Sequence, residues 1–592
     1  IGSGAFPVGL LHELVNAMLV LKPHLGYDYL TEKLKGFGFT HRESISDSRY
    51  IYRLKRHIIQ ESIYGVDIDS SAIDIARLRL WLSLVVDEDD LDPIETLPNL
   101  DYKIVCGNSL IGIPENGTIL DGNAQKLLEE LKEKFYNETD EGEKKKQRDI
   151  INQKTQEFLK SSSEWAGYKI DFDFKLFFSE VWREKGGFDV VIGNPPYDVY
   201  QGKKNDELET LKTIPLFNNA KGRKLNAFEL FLCLTPTLLS KDGFQSLIFQ
   251  NSFLADTSSK LLRKYYFDHL DIVSIDSFPE RDDVKKRVFE SAKMSVCILQ
   301  TFNRRVKENS FLLRIWKERW MENCSEIRIK ASDIIKLDTE YFSIPSISKD
   351  EYSVLKRFQS FRKLKSIGHC YEGEINLTTC KPFLSENNQS GYFKMIKGAS
   401  VQKWYIKDKM SQGVNEYLSP EFLKGKSTSS KAYHYKQTRL VLQGITGVDE
   451  IYRLKFAVLN QGIFCGNSAN YILFDSNQQN IYSTGCYLNS EIPNWFFKCY
   501  STNSNVNGYE VDNLPIPNTL PESLATIYNY LHITVPKSAY SVISNFYQEL
   551  VNAITYQLYF PEEIKSAGKE ILKHLGDLKP ITDDMSEEKK LA

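Results

Sequence analysis

The 592-residue chain reads as an α/β region over about 1–335, an α+β region over about 336–520 and a helical region over about 521–592. Three changes of pattern predict this. Apolar runs alternate with helix-period segments in the first part, which is how a mostly parallel sheet is built. From about Asp338 short β-type runs are set between Gly, Asn, Ser and Pro. Beyond Pro517 the spacing turns helical, and Ser586–Ala592 reads as a frayed tail.

Each element follows in turn. Gly2–Gly4 leads into an amphipathic helix over Pro7–Leu21, and Ile63–Ile68 reads as a strand followed by a helix over Ser71–Val86. Tyr102–Cys106 is a short strand. A helical insertion occupies about 115–185; Gln125–Leu159 within it carries Glu and Lys at helical spacing, as a solvated hairpin would. Phe188–Ile192 is the kind of apolar run found in a strand buried on both faces. Strands at Gln245–Phe249, Ile272–Asp276 and Met294–Thr301 alternate with helices at Asn226–Leu239 and Ser258–Phe267. Farther on, Gly391–Ile396, Leu440–Gln443 and Tyr471–Phe474 read as strands.

Composition narrows the function classes. Lys and Arg number 75 against 78 Asp and Glu, a net −3, which excludes a histone-like basic protein and an acidic disordered chain. A nucleic-acid partner therefore needs a local basic surface. One is visible between Lys394 and Lys455, where twelve Lys/Arg stand against five Asp/Glu, a local excess of +7. The nine Cys are scattered without a CxxC pair, so neither a zinc site nor a disulfide framework is expected, and the protein is expected in the reducing cytoplasm. No metal is expected. Phe6–Leu21 is apolar but broken by His12, Glu13 and Asn16, so no membrane span is expected.

Four constellations fall at turn and strand-end positions. Gly2-Ser3-Gly4-Ala5-Phe6 precedes a helix, where glycines let backbone approach a ligand; taken alone, a tight turn explains it better. Asp67 ends the second strand in Gly65-Val66-Asp67-Ile68-Asp69, where an acid can accept both hydroxyls of a ribose; a helix N-cap would suit Asp69 or Ser70 better. Asn108 and Ser109 end the next strand, and an Asn amide can both donate to and accept from an adenine edge. Asn194-Pro195-Pro196-Tyr197 follows Phe188–Ile192 through Gly193. Two prolines stiffen that turn. The Asn194 and Pro195 carbonyls can together hold both hydrogens of an exocyclic amino group, and Tyr197 offers a face to a flipped base.

In these residues the chain resembles the gamma-class amino-group DNA methyltransferases that make N6-methyladenine, most closely those of type IIG restriction–modification enzymes. The resemblance implies a Rossmann-like methyltransferase domain, then a DNA target-recognition domain and a helical C-terminus. It implies S-adenosylmethionine as cofactor, with Gly2, Gly4, Phe6, Asp67, Ile68, Asn108, Ser109, Asn194 and Phe231 around it. Many relatives carry Asp where this chain has Asn108. Phe231, in Asn226-Ala227-Phe228-Glu229-Leu230-Phe231, resembles the aromatic packed on the cofactor adenine. Phe289 resembles the one stacked on the flipped base, joining Asn194, Pro195, Pro196 and Tyr197 as the catalytic set. Glu374-Ile375-Asn376-Leu377, Ile396-Lys397-Gly398, Leu488-Asn489-Ser490 and Leu514-Pro515-Ile516-Pro517 resemble target-recognition segments.

The implied partner is double-stranded DNA. Lys397, Gln402, Lys403 and Arg439 are candidate contacts, and so are Lys203, Lys204 and Arg223 of the loop Gly202–Lys224. The chain opens at Ile1 on the glycine turn, after the point where the family pattern places an Asp-Pro pair. A fragment is therefore expected, with a nuclease domain upstream or on a separate subunit, and a monomer reading an asymmetric site. Two other readings stay open: a DNA-specificity module without catalysis, and a methyltransferase acting on protein glutamine or RNA.

Overall fold

The computed structural model describes residues 1–24, 49–86, 100–114, 122–137, 140–200, 206–221, 225–408, 416–447, 450–475, 480–501, 504–537, 541–577, 585–586 and 589. It divides into two compact units. The first comprises Ile1–Phe253, Thr257–Cys324 and Arg328–Ser332; the second comprises Leu254–Asp256, Ser325–Ile327 and Asp333–Ala592.

The first unit is mixed α/β. Helix α1 (Ala5–Leu21) packs with α2 (Arg49–Ser62) and α3 (Ser70–Val85). Leu11 and Val15 meet Leu54, Ile58, Ile73 and Leu80 there in one apolar cluster. Among the described residues Ala5–His24 is the one helical stretch long and apolar enough, by length and composition alone, to cross a membrane. His12, Glu13 and Asn16 are the polar residues that interrupt it. Strand β1 (Gly65–Asp67) lies parallel to β2 (Ile104–Cys106), with Asp67 opposite Cys106. Between them Asp69 caps α3, its carboxylate accepting from the Ser71 amide at 2.9 Å. The insertion is a pair of packed helices, α4 (Gly122–Asn137) and α5 (Glu141–Ala166). Two short helices, α6 (Phe174–Phe177) and α7 (Ser179–Lys185), lead into β3 (Phe188–Gly193).

Beyond β3 come β4 (Val199–Tyr200), α8 (Asp206–Thr213), β5 (Leu225–Asn226), α9 (Ala227–Leu238), β6 (Leu239–Gln250), α10 (Lys260–His269), β7 (Asp271–Phe278), β8 (Val296–Phe302), β9 (Ser310–Trp316) and β10 (Cys324–Lys330). The larger sheet has the order β10-β9-β7-β8-β6-β3. Two expectations are corrected by it. The sheet is mixed, because β8 runs antiparallel to both β6 and β7. No regular helix intervenes between β7 and β8, so the chain doubles back instead of crossing over. Strand β3, expected to be buried on both faces, is the edge of this sheet, and Val190 is 47 % exposed. The loop expected over Gly202–Lys224 contains α8 and a turn of 3-10 helix at Pro215–Ala220.

The second unit is α+β. Strands β12 (Gly368–Tyr371), β19 (Ala469–Phe474), β16 (Arg439–Gln443) and β17 (Phe456–Leu459) form an antiparallel sheet in that order. A smaller sheet joins β13 (Leu384–Ser385), β15 (Tyr417–Leu418), β14 (Phe393–Ile396) and β18 (Phe464–Cys465). A two-stranded piece pairs β11 (Arg362–Lys363) with β20 (Pro515–Ile516). Helices then dominate, at α11 (Ile481–Leu488), α12 (Glu491–Tyr500), α13 (Ser523–Thr534) and α14 (Ser541–Tyr559).

Candidate active site

The glycine turn is set against the end of β1. Gly4 takes φ +91°, and a Cβ there would lie 2.8 Å from the Ala76 Cα, so only glycine fits. The space a side chain at Gly2 would fill is empty to 4 Å. The Gly2 amide donates to Asp67 Oδ2 at 2.8 Å and the Asp69 amide to Asp67 Oδ1 at 3.0 Å. Burial would raise the Asp67 carboxyl, but these donors more than offset it and hold it below the usual carboxylate range. The site acid is therefore an anion, with lone pairs left for further donors. Phe6 is partly exposed on the first turn of α1, and Ile68, just past the acid, is 67 % exposed.

At the end of β2 the Asn108 amide nitrogen donates to Glu207 Oε1 of α8 at 3.1 Å, and its carbonyl accepts from the Leu110 amide at 3.0 Å. The Asn108 backbone amide donates to Asp171 at 3.0 Å. Burial, and after it the nearby Glu207 carboxylate, push the Tyr200 phenol up. Ser109, next to Asn108, is half-buried.

After β3 the turn places Asn194 in the open, Pro195 buried, Pro196 exposed and Tyr197 half-buried. The Asn194 side chain makes no hydrogen bond among the described residues. Tyr197 is fixed from two sides: its hydroxyl reaches the Ile248 carbonyl at 3.5 Å, and Gln250 donates to its carbonyl at 3.3 Å. Burial pushes its phenol up, so it stays neutral. Phe289 arrives from the β7–β8 connection with ring centroids 6.3 Å apart and planes at 59° to Tyr197. On α9 the residues flanking Phe231 are buried while Phe231 itself is half-exposed.

Two acids that sequence reasoning passed over hold this edge. Glu207 joins α8 to β2. Glu229, fully buried, accepts from Asn226 at 3.0 Å, Ser258 at 2.7 Å and Ser259 at 2.5 Å, fastening the start of α9. The spacing of Asn226 and Glu229 was a usable signal for the second, being that of a helix N-terminus.

Several DNA-contact candidates sit differently from expectation. Arg439 is wholly buried, paired with Glu374 and donating to the Ile463 carbonyl, so it braces the core and reads no base. Lys403 lies on the Tyr452 ring at 3.4 Å and is not held out to a phosphate. Lys397 pairs with Glu416 at 2.6 Å, and Gln402 donates to the carbonyls of Ala399 and Val401. Lys203, Lys204 and Arg223 lie outside the described residues. Among the described residues the exposed cations of the basic stretch are Lys394, paired with Asp408, Lys424, paired with Glu421, and Lys426, Lys431 and Lys436. Among the described residues no group of three His, Cys, Asp or Glu is placed to hold a metal ion.

Comparison with known proteins gives this geometry a context. The chain is 24 % identical over 71 % of its length to a type II restriction enzyme and methyltransferase named in Methanocaldococcus jannaschii, covering 41 % of that protein. It is 23 % identical over 50 % of its length to the type II restriction enzyme and methyltransferase RM.Eco57I of Escherichia coli, covering 23 % of it. The chain thus spans less than half of either relative. Among solved structures, the type IIL restriction-modification enzyme MmeI in complex with DNA aligns over 94 % of this chain and 76 % of its own, at 10 % identity and TM-score 0.42. The DrdV–DNA complex aligns over 82 % of this chain and 52 % of its own, at 10 % identity and TM-score 0.44. These overall likenesses are loose. The family model for the Eco57I restriction-modification methylase matches residues 61–289. The stretch from the second helix to the aromatic facing Tyr197 is a methylase domain of the Eco57I restriction-modification family.

Proposed function

We propose that the chain is the methylating and DNA-recognising part of a restriction–modification enzyme, and that it methylates the 6-amino group of an adenine turned out of duplex DNA. The first unit is then a Rossmann-like methyltransferase domain, a reading supported by the antiparallel β8 set between the like-directed β6 and β7. The second unit is the target-recognition region with its helical end.

The residues present fit S-adenosylmethionine. An anionic Asp67 suits a ribose diol, the exposed Ile68 suits a base face, and the Asn108–Glu207 pair offers hydrogen-bonding groups to a base edge. Bound there, that cofactor supplies a methyl carbon already activated by a neighbouring positive charge. The chain's own task is alignment, which can account for much of a rate gain. The Asn194 and Pro195 carbonyls accept the two hydrogens of the adenine amino group and turn its lone pair away from the ring. Tyr197 and Phe289 hold the extruded base, whose unstacking costs a few kcal/mol. The departing proton leaves along the bond held by those carbonyls to solvent.

The observation that carries this reading is the meeting of Tyr197 and Phe289, distant in sequence, beside an exposed and unbonded Asn194. Labelled methyl transfer to unmethylated bacterial DNA, with product nucleosides separated, tests it. Label should appear in N6-methyladenine and fall by roughly 100-fold or more in Asn194→Ala. Label in another base, or label undiminished in the variant, overturns it.

A further inference from the structure

We infer that Trp320 stacks inside the duplex in the space the target adenine leaves, so that the turn bearing it acts as an apolar wedge beside the base slot. This rests on the base-extrusion reading above and adds to it the fate of the gap.

The residues concerned lie in two neighbouring connections of the first unit. Phe289 is in the one between β7 and β8, and Trp320 is in the turn 317–323 between β9 and β10. Two contacts tie these connections together. The Arg319 amide donates to the Lys286 carbonyl at 2.9 Å, and the Arg319 guanidinium pairs with Glu290 at 2.6 Å. Glu290 adjoins Phe289 and Arg319 adjoins Trp320. The ring that faces Tyr197 and the outward indole are therefore each one residue from the same ion pair. Arg287 donates to the carbonyls of Arg281 and Glu290, which fastens the first connection upon itself.

The apex of the turn is apolar and outward. Trp320 is 62 % exposed and Met321 47 % exposed. Met321 holds φ +57°, a left-handed conformation that a long side chain rarely takes, and its amide closes on the Glu318 carbonyl at 3.4 Å. The backbone thus keeps two large apolar side chains in water, where a partner that covers them is favoured.

Charge indicates which part of a DNA duplex that partner surface is. On the turn Lys317 and Arg319 are balanced by Glu318 and Glu322. A phosphate-binding loop would be basic, whereas a neutral turn with an apolar apex suits the base stack, between whose steps apolar side chains enter. Phosphate contact falls to Lys285 and Lys286 of the neighbouring connection, both exposed and without an ion pair among the described residues. Arg319 stands 4.6 Å over the Trp320 ring, so a cation covers one face of the indole and the other is left for a base. Extrusion of the adenine removes its stacking, and an indole in its place restores part of it to the neighbouring bases.

Single-turnover methyl transfer by the full chain on two duplexes tests this, once the labelled adenine has been located. In one duplex that adenine is paired; in the other it stands opposite an abasic site, where turning out is easier. Trp320→Ala should lower transfer on the paired duplex by roughly 10- to 100-fold, the range of one lost base–aromatic stack. On the unpaired duplex the loss should stay within about threefold. Trp320→Phe, which keeps a stacking face, should recover most of the loss. A structural role would lower both duplexes alike and move the melting temperature, and a phosphate contact would lower both alike without moving it. Either result overturns the inference, as does undiminished transfer in Trp320→Ala. Undiminished transfer with a changed sedimentation coefficient would assign the indole to a second copy of the chain instead. In all of these the unaltered chain still methylates the adenine, so the extrusion reading stands. Absence of transfer by the unaltered chain on both duplexes overturns that reading, and the inference with it.

Discussion

Lys403 shows how a single side chain can be misjudged from its neighbours in sequence. Its ammonium sits 3.4 Å from the centre of the Tyr452 ring and 5.7 Å from that of Trp404. Burial pushes its pKa down to about 7, against the weaker upward pull of Glu491, Cys486 and Glu549. A lysine whose folded pKa lies below its unfolded value makes folding costlier wherever it stays protonated. The cost is full below about pH 7 and fades as pH rises toward the unfolded value. Lys403→Met keeps the aliphatic packing and removes the charge, so it should raise the melting temperature, and by more near pH 6 than near pH 9. Equal shifts at the two pH values would show that the ammonium is well solvated. Phe289 belongs to the same scale: stacking on a base is worth about 1–3 kcal/mol, so Phe289→Ala should lower methyl transfer roughly 10- to 100-fold with the melting temperature little changed. Single-turnover transfer on adenine-containing DNA reads this directly. At residue scale the sequence singled out Asn194–Tyr197, Asp67 and Asn108 as candidates because each stands in a short local pattern. It hid Glu207, Glu229 and the burial of Arg439, because their meaning lies in partners brought from elsewhere in the chain.

Elements were legible where their periodicity was local. The run Glu374-Ile375-Asn376-Leu377 carried a family resemblance without a physical reason, and the structure supplies one. Glu374 accepts from the Cys465 amide at 2.9 Å and pairs with Arg439, and both side chains are fully buried. Arg439 also lies 4.6 Å over the Tyr471 ring of the neighbouring strand β19. Burial outweighs the arginine and raises the Glu374 carboxyl above its usual range. Removing one partner of such a pair leaves the other charge buried alone, which costs about 3–5 kcal/mol. Glu374→Ala should therefore lower the stability of the second unit by that order in urea unfolding, whereas replacing both partners by apolar residues should cost much less. A loss below about 1 kcal/mol in the single variant would mean water reaches the pair. The apolar run of β3 was legible as a strand, but its edge position was not, since sheet order depends on which strands pair. The antiparallel course of β8 was equally hidden, though the missing helix between β7 and β8 was a cue.

At the scale of the whole molecule, a net charge of −3 opposes association with DNA, so any attraction must be local. Much of the +7 excess between Lys394 and Lys455 is spent internally. Arg439 and Arg453 are buried, and Lys394, Lys397 and Lys455 pair with Asp408, Glu416 and Glu450. What remains outward is the segment bearing Lys424, which meets Glu421 at the surface at 2.6 Å, and Lys426, Lys431 and Lys436, with no acid between the first and the last of them. Lys426 and Lys436 rest on the rings of Phe422 and Tyr433, which steadies them without neutralising them. If these four lysines meet phosphates, each releases counterions on binding, and log affinity falls with log salt by about 0.9 per contact. Changing all four to Gln should weaken binding to specific and unrelated duplexes alike and flatten the salt slope by roughly 3 to 4. Changing Lys397 and Lys403, which are held by Glu416 and Tyr452, should leave the slope within about 1 of its starting value. Titrations across a salt series with both variants separate the alternatives. A slope unmoved by the four substitutions would place the DNA on another face of the second unit, and a slope lowered instead by Lys397 and Lys403 would mean that their internal contacts open on binding.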